Sequence, residues 1–384
     1  VSAKLLMTQD EITENRGEWE KVRSTTIGAS EIAVLLGLAP KSHGNPFSLW
    51  VEKKTGEATS DGEQDEERRG LVLEPYVAAE LAKMRPDLAV LPGGLYHADG
   101  CPWMTATFDR FTVSREAAGT RMPLFGTSLA EDGTNLALRD ELRGLMVPAE
   151  IKTSIANDFA EDPYRWGEPY TDQVPVNYKA QAYWQMSIWG CDRILMPVQF
   201  MQPWKTVLYV INRTDDAEED IAFMVREAGK FLDRLDSNTP PPVDWTPASA
   251  QALLTLNPLQ EGAVYRATKR DATRFRASYL RFKAAERRYN QLRNELAAKA
   301  GGAQHVVVPD PVKRDRDGQP KDVNVLTRSA YDMTTIDDGR LRTEEPEVAR
   351  RFERVTRVDS WRPGQRWMKL PAATKGNGEV DDRD

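Results

Sequence analysis

In "RGLVLEPYVAAELA" (69–82), Leu71, Val77, Ala78 and Leu81 recur at helical spacing, and Glu74 falls beside their face, next to Pro75. Such an acid has two readings. It is a solvated first-turn carboxylate that complements the helix dipole, or it is aimed at something positively charged. The same apolar rhythm predicts a polar lead-in helix over 1–22, a short helix in "IGASEIAVLLGLAP" and another in "NPFSLWVEKKTGE", closed by Gly56. An acidic loop at 60–67 then leads into the Glu74 helix, which ends near Pro86.

After Pro86 the period changes. "LAVLPGGLYH", "WMTATFDRFTV" (103–113), "MVPAEIKTS" (146–154), "ILMPVQFM" (194–201) and "KTVLYVINR" (205–213) read as strands, the first interrupted by Gly-Gly. Between the third and fourth lies "NYKAQAYWQMSIWG" (177–190), an amphipathic helix ended by Gly190. The order helix, three strands, helix, two strands predicts an α/β (α+β) fold, a mixed central sheet flanked by helices.

Further on, the spacing predicts a helix over 215–235 with Ile221, Met224, Val225, Ala228, Phe231, Leu232 and Leu235 inward, broken by "SNTPPPVDWTP". The pattern divides into a core at 1–240, with a long insertion at 114–145, and a C-terminal extension at 241–370. The extension contains a long helix at 269–300 and a small mixed part beyond it; 371–384 is a polar tail expected to be disordered. In the long helix Phe275, Tyr279, Phe282, Tyr289, Leu292 and Leu296 recur at steps of three, four or seven. That is a seam suited to a partner helix rather than a base-stacking platform.

Charge changes the picture of that helix. The chain of 384 residues has a net charge of -7, which argues against indiscriminate coating of nucleic acid. From Arg266 to Lys299, however, eleven bases face three acids, a local +8 that leaves -15 elsewhere. The helix is either a solvated coiled-coil face or a contact for a DNA backbone. No run of about eighteen apolar residues occurs, so no membrane span is expected. The first residues lack the order of a secretory signal, and a cytoplasmic location follows as the expectation. Cys101 and Cys191 lie far apart, and His43, His97 and His305 form no ligand spacing, so neither a disulfide framework nor a zinc cluster is suggested. A bound metal must be held by carboxylates, which implies a hard ion such as Mg²⁺, with Mn²⁺ as a substitute.

Strand 103–113 places Asp109 after "TAT", and strand 146–154 contains "AEIKTS", where alternation puts Glu150 and Lys152 on one face. If the two strands pair, Asp109 shares that face, beside the Glu74 helix. Carboxylates from Asp109, Glu150 and Glu74 can hold divalent ions for phosphodiester hydrolysis, and Lys152 can orient or deprotonate the attacking water. The plainer readings are an exposed Glu-x-Lys ion pair and a turn aspartate. Against them stands the apolar flank of the strand, where an acid and a lysine need partners. A second site follows from "RSTTIGASEIA": Ser30 reads as the N-cap of a helix starting at Glu31, with Arg23 upstream able to fork onto a phosphate.

The succession "GASEIAVLLGL", "NPFSLWVEKKTGE", "RGLVLEP", "TATFDRF", "AEIKTS", "QVPVNYKAQAYWQMSIWG" resembles the YqaJ-type viral recombinases, relatives of lambda exonuclease within the PD-(D/E)XK nucleases, over roughly residues 20 to 235. The resemblance implies a restriction-endonuclease-like core, Glu74, Asp109 and Glu150 as metal ligands, and Lys152 as the catalytic lysine. It places Gln181 and Tyr178 on the helix after the last catalytic strand, with Gln185 a turn further on, and assigns Arg23 and Ser30 to the 5′ phosphate. It implies a Mg²⁺-dependent exonuclease that digests linear duplex DNA from the 5′ end and leaves 3′ overhangs for single-strand annealing. Double-stranded DNA ends, a single-strand annealing protein and a homo-oligomer are the partners it implies. This chain departs from the family in reading Phe108-Asp109-Arg110 where Asp-Gly is usual, Arg110 pointing away from the Asp109 face by alternation. Two other functions fit the residues: a nuclease for single strands, flaps or internal sites, and a noncatalytic DNA-end-binding scaffold.

Overall fold

The computed structural model describes residues 3–57, 64–118, 143–155, 164–314, 317–330, 335 and 337–353. The chain divides into two compact units, Val1–Pro258 and Leu259–Asp384. In the first unit β1 (Ala3–Thr8), α1 (Gln9–Glu14), α2 (Arg16–Thr25), β2 (Ile27–Gly28), α3 (Ala29–Leu35), α4 (Pro46–Thr55) and α5 (Gln64–Met84) come before the main strands. Then follow β3 (Leu88–Ala98), β4 (Cys101–Ser114), α6 (Arg115–Ala118), β5 (Val147–Ala149), β6 (Lys152–Ser154), α7 (Val176–Trp189), β7 (Arg193–Met201), β8 (Trp204–Asn212), α8 (Asp215–Asp236) and α9 (Pro247–Leu256).

The sheet is mixed and flanked by helices, in the predicted order of helix, three strands, helix, two strands. β1, β3, β4 and β5 pair antiparallel in that sequence, β5 and β6 both run parallel to β7, and β8 pairs antiparallel with the other edge of β7. β2 adds a short parallel pair to β4. Tyr96 from β3, Phe108 and Phe111 from β4, and Trp189 from α7 pack ring against ring at centroid distances of 4.3 to 5.7 Å. That cluster fixes α7 over β4, so residues next to Phe108 and one turn before Trp189 are held in register with each other.

Several local expectations are corrected. Residues 1–22 are not one helix. The segment from Ala3 to Thr8 pairs with β3, and the Thr8 side chain then caps α1 in a capping box with Glu11. α5 begins at Gln64, inside the stretch read as a loop, so Glu74 lies in mid-helix and has no first-turn role. Strand 146–154 is broken into β5 and β6 around Glu150 and Ile151. The Gly56 and Gly190 helix ends are as predicted, each glycine taking up left-handed backbone, at φ 74° and 78°.

Residues 241–258 lie in the first unit. They include α9, a helix not expected although Thr246 followed by Pro247 is a standard start signal. Asn45, the cap of α4, donates through Nδ2 to Thr246 Oγ1 at 2.6 Å and to Ser249 Oγ at 2.9 Å, tying the start of α9 to that of α4. The second unit contains α10 (Lys269–Ala300), the antiparallel pair β9 (His305–Arg314) and β10 (Pro320–Thr327), α11 (Asp338–Glu344) and α12 (Pro346–Arg351). α10 keeps its predicted bounds, with Thr268 as its cap. Most of the 114–145 insertion, at 119–142, and the 371–384 tail lie outside the described residues. Among the described residues no helix is long and apolar enough to cross a membrane.

The Gly-Gly pair does not interrupt β3 but allows it to approach β4. A Cβ on Gly93 would lie 1.6 Å from the carbonyl oxygen of Phe108 and 2.8 Å from the carbonyl carbon of Asp109. Gly93→Ala is therefore expected to push β4 outward at Asp109 and destabilise the first unit by about 2 kcal/mol or more. Urea denaturation checks this, and a midpoint equal to that of the wild type would contradict it.

Candidate active site

The edge of β4 that faces β5 is occupied by β2 at Met104 and Thr105 and by β5 at Arg110 to Thr112. Between these two contacts lie Thr107 and Asp109. Continuing the β4–β5 register by one step sets Asp109 opposite Glu150, where the strand breaks. The break has a specific bond in it. The Ile151 N–H, instead of joining a ladder, donates to Asp109 Oδ2 at 2.7 Å, while the Glu150 N–H donates to the Leu195 carbonyl. A bulge of this kind re-aims side chains without ending the sheet.

Glu150 is 3% exposed, so its charge must be met by protein groups. Lys152 Nζ and Gln181 Nε2 donate to its Oε1 at 2.7 and 2.6 Å, and Gln185 Nε2 donates to its Oε2 at 2.6 Å. Both glutamines come from α7, one turn apart on the face that the aromatic cluster presses onto β4. Gln185 also donates to the Thr107 carbonyl at 3.3 Å, which links the clamp to the Asp109 strand. Lys152 Nζ lies 4.9 Å from the centre of the Tyr178 ring. Burial alone would depress the Lys152 ammonium, but the charge of Glu150, followed by Tyr178 and Asp109, holds its pKa above the usual lysine value. It is a donor with a fixed charge, suited to orienting water or phosphate rather than to removing a proton.

Glu74 reaches the site from α5. Alternation turns Arg110 from the Asp109 face as expected. On the other face, where Leu81 of α5 packs with Ala149 of β5, the guanidinium pairs with Glu74 and also donates to the Asp109 carbonyl at 2.6 Å. Arg110 is thus a member of the site that its sequence position did not reveal, since only the lie of α5 brings Glu74 to it. Glu74, Asp109, Glu150, Lys152, Tyr178 and Gln181 line one cleft of about 480 Å³. Gln185 lies behind its wall, fully buried.

Arg23 and Ser30 line the same cleft. Ser30 is not the cap of its helix. α3 begins at Ala29, and the Gly28 N–H, at the end of β2, donates to Glu31 Oε2 at 2.9 Å. The Arg23 guanidinium donates to Ser30 Oγ at 3.3 Å and to Glu31 Oε1 at 3.0 Å. On the far side of Glu31, the almost fully buried Lys53 ammonium donates to Glu31 Oε2 at 2.7 Å and to the Thr26 carbonyl at 2.7 Å. Burial raises the Glu31 pKa, but the charges of Lys53 and Arg23 outweigh it and hold the carboxyl below its usual range. Glu31 therefore anchors Arg23 instead of repelling an anion bound beside it.

The acids are less well compensated. Asp109 is held well above the ordinary aspartate pKa, by burial first and then by the charges of Glu150 and Glu74. As the side chains stand, no three of His, Cys, Asp and Glu among the described residues form a ready ligand set. Glu74 is turned to Arg110 and Glu150 to the glutamines. The donor chemistry still fits a hard divalent cation, being all carboxylate oxygen, and the unrelieved repulsion at Asp109 is what such a cation would remove.

A carboxyl whose pKa is raised by folding holds its proton more tightly than in the unfolded chain, so stability falls as pH rises from the ordinary aspartate value through the raised one. Asp109→Asn removes that charge and can still accept from the Ile151 N–H. In chelator at neutral pH the variant is expected to melt about 2 to 4 °C above the wild type, with the gap closing towards pH 4. Thermal melts at both pH values check this, and a lower melting point at neutral pH would contradict it.

A family model, the YqaJ-like viral recombinase domain, matches residues 18–192, a span that includes every residue of this site. The search of curated proteins found no match. Among solved structures, an alkaline exonuclease (LHK-Exo) from Laribacter hongkongensis aligns with TM-score 0.37 and 16% identity over 58% of this chain and 94% of its own. A phage-related exonuclease from Haemophilus somnus 129PT aligns with TM-score 0.36 and 14% identity over 57% and 99%. The resemblance carried by the six sequence motifs is met by the family match, which places the likeness to the YqaJ-like viral recombinase domain at residues 18–192.

Proposed function

We propose that the chain is a Mg²⁺-dependent deoxyribonuclease of recombination that digests linear duplex DNA from its 5′ end and leaves 3′ overhangs for a single-strand annealing partner. The observation that carries this reading is the meeting of Asp109, Glu150 and Lys152 at a strand break, with Glu150 held by two glutamines in a cleft that also contains Glu74. Glu74, Asp109 and Glu150 would hold the ion, Mg²⁺ or Mn²⁺. When bound it supplies neutralisation of the phosphodiester and activation of water.

The chain's own residues do the rest. Lys152, kept as an ammonium, directs N–H donors at the scissile phosphate or the attacking water, and the Tyr178 ring limits where its side chain can go. Gln181 and Gln185 hold the Glu150 carboxylate in one orientation, and the Ile151 N–H does the same for Asp109. Arg23, steadied by Glu31 and stacked at 4.5 Å on Trp19, would bind the 5′ phosphate together with the Ser30 hydroxyl. A closed oligomer would keep such an enzyme on its substrate, and a homo-oligomer is part of the proposal.

Lys152→Ala is expected to bind duplex ends as the wild type does and to release nucleotides at least a hundredfold more slowly with Mg²⁺. Wild-type protein should degrade the 5′-phosphorylated strand of a linear duplex in preference to a 5′-hydroxyl strand, and leave covalently closed circles intact. Nucleotide release from these three substrates checks the reading. Undiminished digestion by the lysine variant would remove the mechanism, and cutting of closed circles would remove the end requirement.

A further inference from the structure

The long helix of the second unit presents a face that the proposed chemistry does not use. α10 has ten bases against three acids and no buried residue. Its sequence repeats a short unit at intervals of seven: Arg274-Phe275-Arg276, Arg281-Phe282-Lys283 and Arg288-Tyr289. Seven residues are almost two helical turns, so the rings of Phe275, Phe282 and Tyr289 fall in one row with a rise of about 10 Å per step. They are 55%, 60% and 61% exposed. Arg274, Arg281 and Arg288 form a parallel row of exposed cations, and among the described residues none of the three makes an ion pair. Between the two rows lie Ser278, Ala285 and Leu292, mostly small side chains that leave a shallow trough.

This face is a poor seam for a second copy of the helix. The row at three residues from the rings, Ser278, Ala285 and Leu292, offers one large apolar knob where a coiled coil needs one at each step, and two helices each with a net charge of about +7 would repel. It is also a poor membrane face, since its apolar stripe is interrupted by Ser278 and Ala285 and holds few aliphatic side chains. A ring beside a guanidinium at every step instead suits a polymer whose units each carry a base and a phosphate, with alternate nucleotides of an extended strand meeting successive ring and arginine pairs. Rings offer stacking to any base, and the arginine row offers charge to the backbone.

We propose that the exposed face of α10 is a binding site for single-stranded DNA, in which Phe275, Phe282 and Tyr289 stack on bases and Arg274, Arg281 and Arg288 bind the phosphates alongside. The site concerns binding alone and stands whether or not the first unit cuts DNA. It departs from the expectation that these aromatics form a helix-pairing seam, because the row beside them is poor in large apolar side chains and the helix has a net charge of about +7.

The test uses the full chain in chelator, with fluorescence anisotropy on an oligothymidylate of about 20 nucleotides, longer than the site of a single module. A DNA dumbbell closed at both ends serves as the duplex control. Replacing Phe275, Phe282 and Tyr289 together by alanine should weaken binding of the oligothymidylate at least tenfold and leave dumbbell binding unchanged. Replacing Arg274, Arg281 and Arg288 together by glutamine should weaken it as well, and reduce the slope of log K against log salt by about 2. All six side chains are exposed, so both variants should keep the wild-type melting point. Wild-type affinity for the oligothymidylate in the aromatic variant would overturn the proposal. So would equal losses on dumbbell and single strand, a wild-type dimer that becomes monomeric in either variant, or binding to phosphatidylserine vesicles with none to the oligothymidylate.

Discussion

The clamp on Glu150 is the interaction on which the rest of the first unit depends. A carboxylate almost without solvent is costly unless every lone pair is met, and here one ammonium and two amides meet it. Those donors come from β6 and α7, so satisfying one buried charge fixes a helix against a broken strand. Gln185 passes the constraint on to the Thr107 carbonyl of β4, and the aromatic cluster around Trp189 does so one turn further along α7. The geometry around the acids is therefore built into the core and does not rest on loops.

The site is closed on itself. Glu74 has Arg110, Glu150 has Lys152 and the glutamines, and Asp109 has a backbone amide yet remains under repulsion. A divalent cation would have to compete with the protein's own donors for two of the three acids. Arg110 matters most in this, since it has a full charge directed at a proposed ligand. The same residue links β4 to α5, so it acts on both packing and charge.

Much of this was legible in the sequence. Alternation put Glu150 and Lys152 together, and helical spacing put Gln181 and Gln185 a turn apart on a helix whose bounds were nearly right. The break between β5 and β6 was not legible, because it is produced by Asp109 drawing the Ile151 amide out of the ladder, a contact between residues 42 positions apart. Nor was the pairing of Glu74 with Arg110, which depends on where α5 lies. That Glu31, beside the Arg23 and Ser30 pair, is neutralised by the buried Lys53 is likewise visible only in the structure. α9 was missed despite a clear start signal, because the prolines before it were read only as a stop.

The bonds from Asn45 to Thr246 and Ser249 also decide where the first unit can be cut. Asn45 caps α4 and is buried, so removing its partners strands an amide in an apolar setting and bares the side of α4 that α9 covers. A fragment ending near residue 240 would lose this cover, whereas one continuing through Pro258 retains it. The last twenty or so residues of the unit are a lid on its core, and any separation of the two halves of this chain has to leave that lid with the half it covers.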